Sequence, residues 1–163
     1  MLPRPDRHGS SSRVFLNAKG RTMKRTASAV WNGDLKTGKG TVSTASGVLS
    51  RTQYSFGTRF ENGAGTNPEE LVAAAHAGCF TMALSAQLGE SKLVPQSLET
   101  QATLTFDKLD AGWTVTGIHL QVTGRVPGTD AQTFQKCAAA AKEGCPISRL
   151  LNTTITMEAK LES

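Results

Sequence analysis

The stretch Asn67–Leu88, NPEELVAAAHAGCFTMALSAQL, decides the fold predicted for this chain. Asn67 can cap a helix, with Pro68 at the first helical position and Glu70 three residues after the cap. The residues that follow are apolar on nearly every face, and such a helix needs cover on both sides. A single sheet covers one side only. We therefore predict a helix that ends near Gly89 and lies near the centre of a homodimer.

Alternating segments before and after this helix predict six strands, several of them joined by hairpins. A second helix is expected from a cap at Thr129 or Asp130 to Glu143, with Gly144 and Pro146 ending it. Helices packed on hairpin-connected strands define an α+β fold with antiparallel sheets and two central helices. The predicted strands are Thr26–Trp31, Gly40–Thr44, Val48–Phe56, Leu98–Asp107, Trp113–Gly124 (with a bulge or a change of face at Gly117) and Thr153–Leu161, and Ser148–Leu151 is a short extra helix.

Length and charge limit the possible classes of protein. The chain has 163 residues and a formal charge of +5, which predicts one domain. Residues 1–22 hold five basic residues and one acid, and we expect them to be a disordered extension or a remnant of expression. The domain at residues 23–163 is then almost neutral, and few aromatic residues accompany its basic ones, which disfavours nucleic-acid binding.

The same composition indicates the compartment. Polar residues interrupt the apolar helix, so it is predicted to be a core helix and not a membrane span. No apolar signal segment precedes the first strand, and an odd count of three cysteines disfavours a secreted disulfide scaffold. We therefore expect a cytoplasmic protein.

Two cysteines lie where thiol chemistry could be divided between two helices. Cys79 is inside the apolar helix, and Cys145 follows the second helix in KEGCPISRLL. A reactive thiol needs a thiolate, a nearby cation that lowers its pKa, and a route back from sulfenic acid. Cys79 and Cys145 could be the nucleophile and the resolving cysteine, which forms a disulfide with the sulfenic acid. Arg59 could supply the cation, and Glu69 could hold Arg59 through two parallel hydrogen bonds.

Helix geometry restricts how these groups can meet. Glu69 precedes Cys79 by ten residues, which on a straight helix is a rise of roughly 15 Å and a rotation of about 80°. A glutamate side chain cannot span that distance. If Arg59 and Glu69 act on Cys79, we expect them to come from the other subunit.

Other interpretations of these residues stay open at this point. A buried cysteine is commonly a small apolar residue, and Cys137 is assigned that role. His76, one turn before Cys79, could be a core histidine or the base of a Cys-His hydrolase. An apolar-ligand binding module would need neither Cys79 nor Cys145. A metal site at Cys79, Cys145 and His76 is disfavoured because no pair has a zinc-like spacing.

Four segments resemble the OsmC/Ohr proteins, that is, osmotically inducible protein C and the organic hydroperoxide resistance proteins. The resemblance covers about residues 24–162. The stretches TRFE and AAAHAGC are more similar to the OsmC branch. The segments are GKGTVST at Gly38–Thr44, TRFENGAGTNPEELVAAAHAGCF at Thr58–Phe80, VPG at Val126–Gly128 and AKEGCPIS at Ala141–Ser148.

This resemblance implies an intertwined homodimer with two sites at its interface. It also implies a thiol-dependent peroxidase that reduces organic hydroperoxides in defence against oxidative stress. Cys79 matches the peroxidatic cysteine, Cys145 the resolving cysteine and Glu69 the glutamate of the site. No metal or other cofactor is implied, and a dithiol such as a lipoylated protein would be the reductant.

The arginine of the site is the least direct match. In the Ohr branch it lies in a segment that here contains Lys39, so the role passes to Arg59, with Arg51 or Lys39 as alternatives. Apolar side chains are expected to line the site and favour organic peroxides over hydrogen peroxide: Phe60, Phe80 and Met82.

Overall fold

The computed structural model describes residues 22–162. The extension predicted at residues 1–22 lies outside this range except for Thr22. The elements in chain order are β1 Ala27–Asn32, β2 Lys39–Thr44, β3 Thr52–Ser55, α1 Phe56–Phe60, α2 Pro68–Glu90, β4 Ser97–Leu109, β5 Gly112–Arg125, α3 Ala131–Gly144, α4 Pro146–Leu150 and β6 Thr154–Glu162.

The strands form two three-stranded sheets, in the orders β1-β2-β3 and β4-β5-β6. Five of the six strands have an antiparallel neighbour, as predicted, and the α+β class is confirmed. The expectation of purely antiparallel sheets is wrong for β5 and β6, which are parallel. The reason is the connection, because α3 and α4 carry the chain back across the sheet before β6 begins.

The helix α1 was not predicted, because its residues were assigned to a strand and a loop. The strand expected at Val48–Phe56 is only β3, and Arg51 before it has a positive φ of 53°. At its end, the Ser55 side chain accepts a hydrogen bond from the Thr58 N–H, and the Thr58 hydroxyl accepts one from the Ser55 N–H. This reciprocal cap starts a helix immediately after the strand.

The central helix α2 begins as predicted. The Asn67 side chain accepts a hydrogen bond of 2.8 Å from the Glu70 N–H, with Pro68 at the first helical position. Within residues 22–162, α2 alone is long and apolar enough to cross a membrane by length and composition. One face of it is buried with Phe80 and Leu84, so it serves as the core helix of this domain.

The buried core lies between α2, α3 and the inner face of the second sheet. Phe134 from α3 is fully buried against this sheet, and the alternating face of β4 points towards it. A side chain at Gly124 would begin 2.6 Å from the Phe134 ring, so close packing of α3 requires glycine there. The strand register shifts between Thr105 and Phe106, opposite Gly117, where the sequence predicted an irregularity in the strand.

Two surfaces of this chain are left without cover. The face of α2 opposite the core is exposed, and Met82 on it is 77% accessible. The first sheet contributes none of the described core residues, and the outward side chain of Val30 is 56% accessible. The expectation that a single sheet covers one side of α2 is therefore confirmed.

Candidate active site

The helices α2 and α4 bring Cys79 and Cys145 together. Cys145 is the residue between α3 and α4, and its N–H donates to the Ala141 carbonyl at the end of α3. Both cysteines are free thiols, and Cys79 packs against the buried cluster that contains Cys145, close enough for each thiol to affect the pKa of the other. Cys145 is fully buried, whereas Cys79 is partly accessible. A molecule from solvent would therefore meet Cys79 first.

The surroundings of the two sulfurs differ. Burial raises the pKa of the Cys79 thiol, the Ile147 N–H acts against this effect, and Cys145 adds to it. Burial also acts to raise the pKa of Cys145, but hydrogen bonds from Ser148, from Cys79 and from the Ile147 N–H together outweigh it and leave that pKa lowered. The first turn of α4 thus stabilises a thiolate at Cys145, while a single chain offers Cys79 little help.

Arg59 and Glu69 form the ion pair that the sequence suggested. The Arg59 Nη2 lies 2.7 Å from Glu69 Oε1, and Nε lies 3.0 Å from Oε1 and 3.2 Å from Oε2. The helix α1 carries Arg59 in its last turn, and Glu69 is in the first turn of α2. Asn67 connects the start of α2 to α1, because its side-chain amide donates a hydrogen bond of 3.0 Å to the Thr58 carbonyl.

Within one chain this ion pair does not act on the cysteines. No arginine, lysine or carboxylate of residues 22–162 contributes to the pKa shift of Cys79. The two alternative cations belong to the first sheet: Lys39 begins β2, and Arg51 directly precedes β3. Neither contributes to the shift at Cys79. The choice among Arg59, Arg51 and Lys39 stays a prediction.

Aromatic side chains surround Arg59. Its guanidinium carbon lies 5.1 Å from the centre of the Phe60 ring and 5.2 Å from that of Phe106. Trp113 completes the group, with its ring centre 5.0 Å from those of Phe60 and Phe106. A surface cavity of about 260 Å³ beside Arg59 is lined by further aromatic residues, namely Trp31, Tyr54 and Phe56, together with Phe60. The ion pair therefore lies in mainly apolar surroundings.

The predicted apolar lining is corrected in one place. Phe80 is fully buried in the core, so it does not face an open site in this chain. Phe60 does lie beside Arg59, as expected. Phe106 and Trp113 were missed because the sequence places them some fifty residues away, near the end of β4 and the start of β5.

His76 has a partner that the sequence reasoning missed. Its Nε2 lies 2.8 Å from the Ser148 hydroxyl on α4, and the imidazole is fully buried. The available signal was spacing, because Ser148 follows Cys145 by three residues in CPIS, as His76 precedes Cys79 by three. Cys137 lies apart from this group, with its sulfur 3.9 Å from the Ser91 hydroxyl.

The α+β fold and the two neighbouring free thiols define a small protein with a thiol site. Comparison with known proteins identifies its family. Residues 61–160 match the family model described as OsmC-like protein. The chain is 51% identical over 142 residues to peroxiredoxin OsmC of Escherichia coli, covering 87% of this chain and 99% of that protein. It is 30% identical over 124 residues to the organic hydroperoxide resistance protein OhrB of Bacillus subtilis, covering 76% and 89%.

Solved structures agree on the fold. An OsmC-like protein from Mycoplasma pneumoniae has a TM-score of 0.70 at 14% identity and covers 86% of this chain and 99% of its own. An OsmC-like protein from Vibrio cholerae has a TM-score of 0.69 at 19% identity, covering 85% and 100%. The chain belongs to the OsmC family and, within it, to the OsmC branch.

Proposed function

We propose that this protein is a thiol-dependent peroxidase that reduces organic hydroperoxides to alcohols. The observation that carries the proposal is that two free thiols are neighbours, one accessible at Cys79 and one buried at Cys145. Membership in the family supports it, since the E. coli relative is named a peroxiredoxin and the B. subtilis relative an organic hydroperoxide resistance protein.

The reaction divides between the two cysteines. The Cys79 thiolate attacks one peroxide oxygen, the O–O bond breaks, and the alcohol leaves after taking a proton. Cys79 is then a sulfenic acid. The Cys145 sulfur attacks the Cys79 sulfur, the S–O bond breaks, and hydroxide leaves with the Cys145 proton as water. The resulting disulfide is reduced by an external dithiol, which itself becomes a disulfide.

The working unit in this proposal is a homodimer in which Arg59 and Glu69 of one subunit serve Cys79 of the other. Three features of the single chain support it: the remoteness of the ion pair, the raised pKa of Cys79, and the exposed face of α2. A guanidinium near a thiol lowers the thiol pKa by charge attraction. Glu69 holds Arg59 in one orientation through its paired hydrogen bonds.

The preference for organic substrates follows from the surroundings of Arg59. A hydroperoxide that approaches this cation places its carbon substituent beside Phe60, Phe106 or Trp113. Burial of that substituent adds roughly 25 cal/mol per Å² of apolar area, which hydrogen peroxide cannot supply. We assign the reductant to the dithiol class, with a lipoylated protein as the expected source.

The test is consumption of cumene hydroperoxide in the presence of dihydrolipoamide. Wild-type protein and Cys137→Ser should turn over at similar rates, because Cys137 lies outside the pair of thiols. Cys79→Ser should abolish turnover, and Cys145→Ser should slow it strongly when the dithiol is limiting. Turnover that survives in Cys79→Ser would refute the proposal. A Cys-His hydrolase is not favoured, because His76 Nε2 contacts Ser148 instead of Cys79.

A further inference from the structure

Two pairs of side chains face each other between α2 and α4. On α2, His76 precedes Cys79 by three residues, so the two lie one turn apart on the same face. On the other side, Ser148 follows Cys145 by three residues at the start of α4. Cys79 packs against the buried cluster that contains Cys145, and His76 Nε2 lies 2.8 Å from the Ser148 hydroxyl oxygen. A polar His-Ser pair therefore stands directly beside the cysteine pair.

The buried environment decides which nitrogen of His76 carries the proton. The imidazole is fully buried, and burial lowers its pKa, so it is neutral and has one N–H. Among residues 22–162, Nδ1 has no hydrogen-bond partner. A buried N–H without a partner is rarer than a buried acceptor without one. The proton therefore belongs on Nε2, which donates it to the Ser148 oxygen.

This arrangement leaves the Ser148 hydroxyl hydrogen available for another acceptor. Cys145 is the N-cap residue of α4, and Ser148 lies three residues later in the first turn of that helix, although Cys145 makes no capping hydrogen bond. The Ser148 N–H and hydroxyl both act to lower the pKa of Cys145 against the effect of burial. The groups that act on this thiol come from Cys79, Ile147 and Ser148, and none of them is a charged residue. Neutral donors thus have to stabilise the Cys145 thiolate.

We propose that Ser148 and His76 promote disulfide formation: the Ser148 hydroxyl donates a hydrogen bond to the Cys145 sulfur as it becomes a thiolate, and His76 Nε2–H holds that hydroxyl in position. The proposal rests on the peroxidase function above. In the step concerned, the thiolate forms the S–S bond to the Cys79 sulfenic acid and the S–O bond breaks. The departing hydroxide takes up the proton that Cys145 released. In this proposal the Ser148 hydroxyl acts directly on the reacting sulfur, and His76 is a positioning residue.

The experiment separates the two chemical steps in time. Reduced protein is mixed with one equivalent of cumene hydroperoxide, and samples are quenched with dimedone, which traps sulfenic acid, and with an alkylating agent, which counts thiols. The first phase is oxidation of Cys79, and the second is formation of the Cys79–Cys145 disulfide. A hydrogen bond to a charged group contributes about 1.5 kcal/mol or more, so Ser148→Ala should slow the second phase roughly tenfold or more.

Matched variants distinguish this role from a purely structural one. His76→Leu should slow the second phase, His76→Gln should restore part of the rate because its amide N–H can replace Nε2–H, and Ser148→Thr should retain it. The second phase in Ser148→Ala and His76→Leu should also need higher pH. The controls are Ser91→Ala, whose hydroxyl lies beside Cys137, and His119→Gln, whose ring bonds the Thr156 hydroxyl. Both controls should behave as wild type.

Two results overturn the proposal in distinguishable ways. If wild-type protein shows no first phase, the peroxidase function fails and this inference fails with it. If the first phase is present and Ser148→Ala completes the second phase at the wild-type rate, only the role of Ser148 and His76 is refuted. Because Ser148 is partly exposed, the alanine variant should fold even if His76→Leu does not.

Discussion

Arg59 donates hydrogen bonds of 2.7 to 3.2 Å to the carboxylate of Glu69, which lies in the first turn of α2, well before Cys79 on the same helix. Ten residues of α2, a rise of roughly 15 Å, separate Glu69 from that thiol. The ion pair is therefore preformed within one chain but remote from that chain's own sulfur. This geometry fits the proposal that Arg59 of one subunit acts on Cys79 of the other.

The first prediction concerns the role of Arg59 as the activating cation. Arg59→Ala should lower the rate constant for Cys79 oxidation at pH 7 by about tenfold or more, because loss of a nearby positive charge raises the thiol pKa. Because a thiol with a higher pKa is less ionised at a given pH, the variant needs a higher pH to reach the same oxidation rate. The pH–rate profile should therefore move to higher pH. Stopped-flow measurement between pH 5 and 10 checks this. Arg125→Ala, which breaks an exposed ion pair with Glu162, is the control.

The second prediction tests whether Arg59 acts across the dimer. Cys79→Ser and Arg59→Ala chains with different tags should form mixed dimers when they are coexpressed. In a mixed dimer, one site pairs an intact Cys79 with an intact Arg59 from the other chain. By two-fold symmetry and random pairing, the mixture should recover about a quarter of wild-type activity. Activity no higher than that of the Arg59→Ala homodimer would place the arginine and the cysteine in the same chain.

The third prediction concerns the exposed face of α2. Met82→Glu places a charge in the proposed dimer interface and should shift the protein to monomers in sedimentation velocity, since a buried unpaired charge is costly. Val94→Glu is the matched control, because Val94 is 79% accessible and Met82 77%, but Val94 lies beyond the end of α2. Dissociation by Val94→Glu alone would contradict the assignment of this face.

The fourth prediction uses the lowered pKa of His76. In the unfolded chain the imidazole binds a proton near its ordinary pKa, about 6.5, whereas burial keeps it neutral in the folded protein. The unfolded state therefore gains protons as pH falls below that value, and stability decreases by up to about 1.4 kcal/mol per pH unit. Urea unfolding of His76→Gln should show a smaller loss of stability between pH 7 and 5. An equal loss in both proteins would exclude His76 as its source.

Local signals in the sequence predicted most of the fold. The cap at Asn67 with Pro68 determined the start of α2, and strict alternation predicted β4. The helix α1 was missed because its cap, Ser55, directly follows a strand and its residues fit either pattern. The parallel direction of β6 was missed because it depends on the crossover through α3 and α4, which alternation does not report.

The candidate site was predictable to a similar extent. The pairing of Arg59 with Glu69 followed from their opposite charges and their places around the start of α2. The aromatic residues beside Arg59 required the tertiary fold, because Phe106 and Trp113 come from a hairpin later in the chain. Ser148 was overlooked because a serine after a Cys-Pro pair resembles an ordinary helix start, and only the packing of α4 on α2 places it against His76.

The central claim is that Cys79 and Cys145 form a peroxide-dependent disulfide, and a thiol count tests it most directly. Reduced protein is treated with one equivalent of cumene hydroperoxide, denatured, and assayed for free thiols, followed by peptide mapping. The account predicts that wild-type protein falls from three thiols to one, with Cys79 joined to Cys145 and Cys137 still free. Three thiols remaining after treatment, or a disulfide that involves Cys137, would contradict it.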